Sequence, residues 1–478
     1  MLNLKEVFFG YADADTEANR NPTLFQEVFF DPHDHLKELV HGDIFMVRGR
    51  KGEGKTAYGA RIRLLSGEGE ICSLQRSLNN FNNATFSQIT TQGSMGGNRY
   101  ISFWKCILAI ECARMLHQCE PHIQESGFLD IVDALRRHGL IEEESDISVT
   151  ISKLVETNST FQLKSLFSHG RKYEKEETLQ GAEQIYFSIS RVLRPLYLQK
   201  KFILIVDGLD DILHNSEFRP EIITGLIRAT EEINRFFAKS TLSLKILILI
   251  RDDILSMCRD PNLSKIMRDS SFKLSWSIND NPWESDLLQL VGKRIDAVTG
   301  RENSFEQAWG EIFPDNIHGK STLSYVLDNI IYRPRDILQF FLEAQKEFVQ
   351  GRKFTVDKVW TILFNYSNEY FLDAMKDELT GFFPDGAINM LPNLFMRLGQ
   401  QYFYLPKFEE ECRKYAEFEG VVTRDMFEKL FVAGYIGQRR PRDATTDRTV
   451  FSYRNPQERF QEDHECIIHR GLMRALTI

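Results

Sequence analysis

The sequence predicts a three-layer α/β fold: a parallel sheet covered on both faces by helices, followed by a largely helical C-terminal half. Three observations carry this expectation. Phe202–Val206 and Lys245–Ile250 are short, near-continuous apolar runs rich in Ile, Leu and Val, as a sheet buried on both faces requires. Asp43–Arg48 is a third such run, too short for a helix, and a glycine-rich turn follows it directly. Helical periodicity separates these runs and then dominates beyond Trp283.

The glycine-rich turn reads Gly49-Arg50-Lys51-Gly52-Glu53-Gly54-Lys55-Thr56, with a helical pattern over Ala57–Leu65 behind it. It fills every fixed position of the G-x-x-x-x-G-K-[ST] phosphate-binding loop, and it does so between a strand and a helix. In that context backbone N–H groups converge on phosphates at a helix N-terminus, where the macrodipole favours anions. Lys55 is placed to reach the β- and γ-phosphates of ATP, and the Thr56 hydroxyl to ligate Mg²⁺. The expected fold is therefore a P-loop NTPase domain.

The second apolar run ends in Asp207-Gly208-Leu209-Asp210-Asp211. Asp207, at a strand end, is the natural second Mg²⁺ ligand. Asp210 or Asp211 is placed to polarise an attacking water; the same run also reads as an acidic cap on the next helix. Arg251 ends the third strand, on the edge where parallel sheets hold ligands. It reads either as a γ-phosphate sensor or as a partner of Asp252 or Asp253. Arg333-Pro334-Arg335-Asp336 opens a helix, either as an exposed helix start or as a lid that swings Arg333 or Arg335 onto the nucleotide.

The interval between Thr56 and Asp207 exceeds an ordinary P-loop half-domain, so a helical insertion over about 97–198 is implied. Three regions are expected: a P-loop domain over 1–280, a helical lid or linker over 281–384, and a winged-helix-like domain over 385–478. In the last region Arg424–Val432 reads as a helix stopped by Gly434, and Tyr435–Arg440 and Thr449–Arg454 as paired strands. Its basic cluster, Arg439, Arg440 and Arg442, could contact DNA phosphates. The helix before it carries Arg424, Asp425, Glu428 and Lys429, close to neutral, which gives no support for base readout.

The chain has 478 residues and a net charge of −9, so it is not a general polyanion binder. No apolar run approaches the ~20 residues that cross a bilayer, and Met1–Gly10 lacks the marks of a secretory leader. Seven thinly spread cysteines argue against a disulfide framework and for a reducing, cytoplasmic setting. Cys106, Cys112, His117, Cys119 and His122 crowd one region, but at helical rather than zinc-site spacing. The run Glu142-Glu143-Glu144 reads as a solvated face.

Together, the phosphate loop, the Asp207–Asp211 run and Arg251 resemble the STAND branch of the AAA+ ATPases, in particular its NACHT-like members. Arg333–Asp336 is similar to the lid-helix motif of origin-recognition-type AAA+ proteins. Phe9-Gly10, the Gly49–Gly52 loop and His469-Arg470-Gly471-Leu472 resemble a group of bacterial stand-alone P-loop ATPases. The resemblance implies a slowly hydrolysing ATP switch in bacterial stress or antiviral defence, with a homo-oligomer or an effector protein as partner. Asp211 stands where the NACHT pattern has Glu, which implies slow turnover. The resemblance also implies a histidine on the phosphates in the ADP state; His469 is the candidate, beside a plain structural role. A DNA-acting ATPase using a winged helix, and a scaffold that binds ATP without hydrolysis, are the alternatives.

Overall fold

Five strands form one all-parallel sheet: β1 (Met46–Gly49), β2 (Ile71–Ser77), β3 (Lys201–Asp207), β4 (Leu244–Arg251) and β5 (Ser271–Lys273). Their order across the sheet is β2-β3-β4-β1-β5. The computed structural model describes residues 2–11, 13–78, 98–141, 147–156, 178–209, 219–300, 304–439 and 449–478. The three apolar runs of the sequence are the three central strands, and every residue of β4 is buried. The two other strands have no such signature. β2 is an edge strand whose residues after Ile71 are only half-buried, and β5 has three residues.

The chain divides into two compact units. The first comprises His33–Arg50 and Lys55–Leu274 and contains the sheet. Between β2 and β3 lie the helices Asn98–Cys119, Ser126–Arg137, Ile147–Glu156 and Thr178–Leu193, the inserted helical region. The Asn98–Cys119 helix packs against both Thr178–Leu193 and Pro220–Phe237. Its Trp104 is fully buried, with the indole N–H donating to the Ile222 carbonyl at 2.9 Å. Glu111 on the same helix is buried between Arg76 and Arg114, and also accepts from Thr150, so its charge is paired rather than stranded.

Two of the cysteines meet here. Cys72 on β2 and Cys119 at the end of the long helix are joined, with their Cα atoms 6.3 Å apart. Forty-seven positions separate them in sequence, and only the packing of that helix on the sheet brings them together. Cys106 and Cys112 are buried, and burial pushes the Cys106 thiol up to about 12.

The second unit comprises residues 1–32, Lys51–Gly54 and Ser275–Ile478. The first thirty-two residues thus belong to one unit with the C-terminal half. Phe9 stacks on Phe341 with ring centroids 4.8 Å apart, and Arg294 pairs with the buried Glu17 at 2.9 Å. One apolar core includes Leu4, Phe340, Tyr366 and Leu472. Helices Asp286–Thr299, Phe305–Ile312, Pro334–Glu347 and Val356–Tyr366 supply much of it.

The last part runs helix Asp385–Leu398, strand Tyr402–Phe403, helices Leu405–Cys412 and Thr423–Ala433, then strands Ile436–Arg439, Thr449–Val450 and Glu465–Ile468. Gly434 ends the Thr423–Ala433 helix at φ +93°, the left-handed cap that glycine provides most cheaply. The strands pair antiparallel.

Candidate nucleotide site

In the first unit, β1 delivers Gly49 and Arg50, and the Lys55–Leu65 helix starts directly at Lys55 and Thr56. The Lys55 ammonium donates to the carbonyls of Gly49 at 3.2 Å and Arg50 at 2.9 Å. Thr56 Oγ1 donates to Asp207 Oδ2 at 3.1 Å. Asp207 also accepts from the Gly208 N–H at 2.7 Å, with Gly208 at φ +74°. β4 lies between β1 and β3, so the side chains at the ends of β1 and β3 meet across the carboxyl edge of an intervening strand.

Arg251 is the end of that intervening strand, in register with Gly49. It is 4% exposed, and its guanidinium forks onto Asp253, Nε to Oδ1 at 2.9 Å and Nη2 to Oδ2 at 2.5 Å. Its neighbour Asp252 faces Lys273 at 2.8 Å and Arg48 at 3.7 Å. Asp210 and Asp211 lie outside the described residues.

The middle of the loop, Lys51–Gly54, belongs to the second unit. Gly52 and Gly54 sit at φ +81° and +97°, a region that costs any L side chain. A Cβ on Gly52 would meet Arg335 Cβ at 3.2 Å, whereas one on Gly54 would meet nothing within 4 Å. Glu53 is buried, and its carbonyl accepts from the Trp276 indole at 3.0 Å. Lys51 reaches Asp377 at 3.4 Å.

Arg333 and Arg335 have different fates. Arg333 is turned into the interior of the second unit. It bonds Asp336 at 2.6 Å, Glu378 at 3.0 Å, the Tyr435 hydroxyl at 3.2 Å and the Lys51 carbonyl at 3.3 Å. Burial disfavours its charge, but Asp336 outweighs that and raises its pKa. Tyr366 completes the cluster by donating to Asp336 at 2.8 Å. Arg335, two residues on, is half-buried; its backbone N–H faces the Gly52 carbonyl at 3.4 Å, and its side chain makes no hydrogen bond among the described residues. A cavity of about 130 Å³ lies between Lys51, Arg333, Arg335, Tyr370 and Asp377. The partners Glu378, Tyr366 and Tyr435 carried no sequence signal, because each sits on a separate helix or turn.

His469 is 1% exposed in the second unit. Its Nδ1 accepts from the Gly471 N–H at 3.1 Å and its Nε2 lies 3.1 Å from the Tyr453 hydroxyl. Burial, with Arg454 nearby, lowers its pKa to about 3, so the ring is neutral. Both nitrogens are engaged: His469 caps the Arg470–Leu476 helix.

Of the basic cluster, Arg440 and Arg442 fall outside the described residues. Arg439 is countered by Glu465 at 3.5 Å and lies over the Tyr402 ring. No helix among the described residues is long and apolar enough to cross a membrane.

Residues 285–374 match the family described as the FunZ-associated C-terminal helical domain. The chain is 22% identical over 288 residues to the putative transposon gamma-delta 80.3 kDa protein of Escherichia coli K12. That match covers 56% of this chain and 39% of the relative, so the chain spans well under half of that protein's length. Among solved structures, the Aeropyrum pernix ORC2 protein in its ADPNP–ADP complexes is similar over 95% of this chain and 96% of its own, at 10% identity and a TM-score of 0.39. Cdc6p of Pyrobaculum aerophilum is similar over 96% and 98%, at 12% identity and a TM-score of 0.28. Overlaps this loose leave the fold to be read from the chain's own parallel sheet.

Proposed function

We propose that this chain binds Mg²⁺·ATP at Gly49–Thr56 and hydrolyses it slowly, as a nucleotide-dependent switch. The observation that carries the proposal is the 3.1 Å contact between Thr56 and Asp207 at the carboxyl edge of a parallel sheet. A hydroxyl and a carboxylate held together are a donor set suited to a hard, oxygen-seeking cation such as Mg²⁺. The open space at Gly54 and the helix N-terminus behind it suit a phosphate chain.

Bound Mg²⁺ would neutralise charge on the phosphate oxygens. The loop N–H groups would hold the phosphates, and Lys55 would exchange the Gly49 and Arg50 carbonyls for phosphate oxygens. Arg50, Lys51, Gly52 and Glu53 shape the turn. Asp210 or Asp211 would orient water for attack, and Arg251 would sense the γ-phosphate by leaving Asp253. Of the lid arginines, Arg335 is assigned the sensing role and Arg333 the support of the loop at Lys51. His469 is assigned to helix capping. A setting in bacterial stress or antiviral defence, and an effector protein or homo-oligomer as partner, rest on the family resemblance alone. For the DNA-acting alternative, Arg439 faces Glu465, and Arg440 and Arg442 lie outside the described residues.

Steady-state ATP turnover at low salt, with and without duplex DNA and with Lys55→Ala as blank, tests this. Slow, Lys55-dependent turnover indifferent to DNA is expected. Strong stimulation by DNA moves the assignment to the DNA-acting reading, and turnover equal to the blank overturns hydrolysis.

A further inference from the structure

A cleft of about 690 Å³ opens on the second unit, far in sequence from the phosphate loop and independent of the nucleotide proposal. That volume falls in the range of small-molecule sites. Tyr325, Trp360 and Phe364 give it aromatic walls, and Met473 adds a soft apolar one. Trp360 and Phe364 are 42% and 47% exposed.

The side chains lining the same cleft include two cations. Arg470 and Arg474 stand four positions apart on one helix and both line it, whereas no Asp or Glu among the described residues does. Arg470 shares the single carboxylate of Asp328 with Arg454 and Lys320, at 3.2 Å and 3.0 Å for the two arginines. Among the described residues Arg474 donates to neutral partners, the Tyr325 hydroxyl at 3.0 Å and Asn329 Oδ1 at 3.3 Å. Its Nε is buried and makes no hydrogen bond among the described residues. Its guanidinium lies 4.5 Å from the Trp360 ring centroid, which fixes the fork beside the aromatic wall. Guanidinium donors beside exposed aromatic faces recognise a flat body and an oxyanion at once.

We propose that this cleft binds a small organic anion with a planar aromatic body and one carboxylate or phosphate group. The ring lies against Trp360 and Phe364, and the oxyanion takes the N–H groups of Arg470 and Arg474.

The test is calorimetric titration of the full chain, without nucleotide, with 2-naphthoate, 2-naphthyl phosphate and neutral 2-naphthamide. At least one anion is expected to saturate with a submillimolar Kd, tenfold or more below that of naphthamide. Which anion binds tighter identifies the headgroup. Trp360→Ala and Arg474→Gln should each weaken it at least tenfold. Arg470→Gln changes a half-exposed side chain, so it keeps the test decisive if Arg474→Gln melts early; it should weaken binding threefold or more. Equal affinity for naphthamide, no saturation by either anion, or affinity unchanged in both Trp360→Ala and Arg470→Gln overturns the proposal.

Discussion

Thr56 and Asp207 are 151 positions apart in sequence, and the Thr56 hydroxyl donates to the Asp207 carboxylate at 3.1 Å. If the pair holds Mg²⁺, the cation replaces a hydrogen bond that the fold already makes. Asp207→Asn retains an acceptor of the same shape but loses the charge. The expected outcome is that Mg²⁺ no longer tightens ATP binding, with affinity in Mg²⁺ falling tenfold or more and affinity in EDTA changing little. Fluorescent-nucleotide titrations in Mg²⁺ and in EDTA check this; a preserved Mg²⁺ effect removes Asp207 from the metal site.

Arg333 and Arg335 separate a structural role from a sensing one. Arg333→Met strands the buried carboxylates of Asp336 and Glu378, and loss of one partner of a buried pair costs ~3–5 kcal/mol. A fall of that size in the unfolding free energy from urea titration is expected. Arg335→Met, which breaks no side-chain hydrogen bond among the described residues, should leave the unfolding free energy within ~0.5 kcal/mol while lowering ATP turnover. An unstable Arg335 variant, or an Arg333 variant of wild-type stability, reverses the assignment.

His469 makes stability depend on acid. Its folded pKa of about 3 lies below the ordinary value of 6.5, so between those values the unfolded chain binds the extra proton. Its stabilising contribution is therefore complete above pH 6.5. It is lost as pH falls toward 3, by at most ~1.4 kcal/mol per pH unit. His469→Asn keeps a side-chain acceptor for the Gly471 N–H and removes the titration. Urea midpoints measured from pH 7 to pH 4 should fall less steeply in this variant than in the parent; parallel slopes remove His469 as the cause.

The legible parts were those with a local signature. The central strands announced themselves because both faces of β3 and β4 are covered, which leaves Phe202–Val206 and Leu244–Ile250 almost wholly apolar. The glycine-rich turn was legible because Gly52 and Gly54 take positive φ and because a strand and a helix flank it. Edge strand β2 was not, since its half-buried residues follow no pattern a strand alone imposes. Nor was the fate of Arg333 and His469. A guanidinium turned inward and one turned outward read alike in sequence, and only the distant Glu378, Tyr435 and Tyr453 distinguish them. The Cys72–Cys119 pairing was hidden for the same reason, its partners meeting only through helix-on-sheet packing.

The buried ion pair of Glu17 with Arg294 spans 277 positions. During synthesis Glu17 leaves the ribosome well over two hundred residues before its partner exists, and the sheet-bearing unit is made in between. At ~5–20 residues per second, that is a wait of roughly ten seconds or more for an apolar segment containing Leu4, Val7 and Phe9. The early segment must stay uncommitted while a complete neighbouring unit folds beside it. Such non-local closure is slow and leaves apolar surface open to aggregation. Growth temperature and chaperone supply should therefore govern the yield of this chain more than its final stability does.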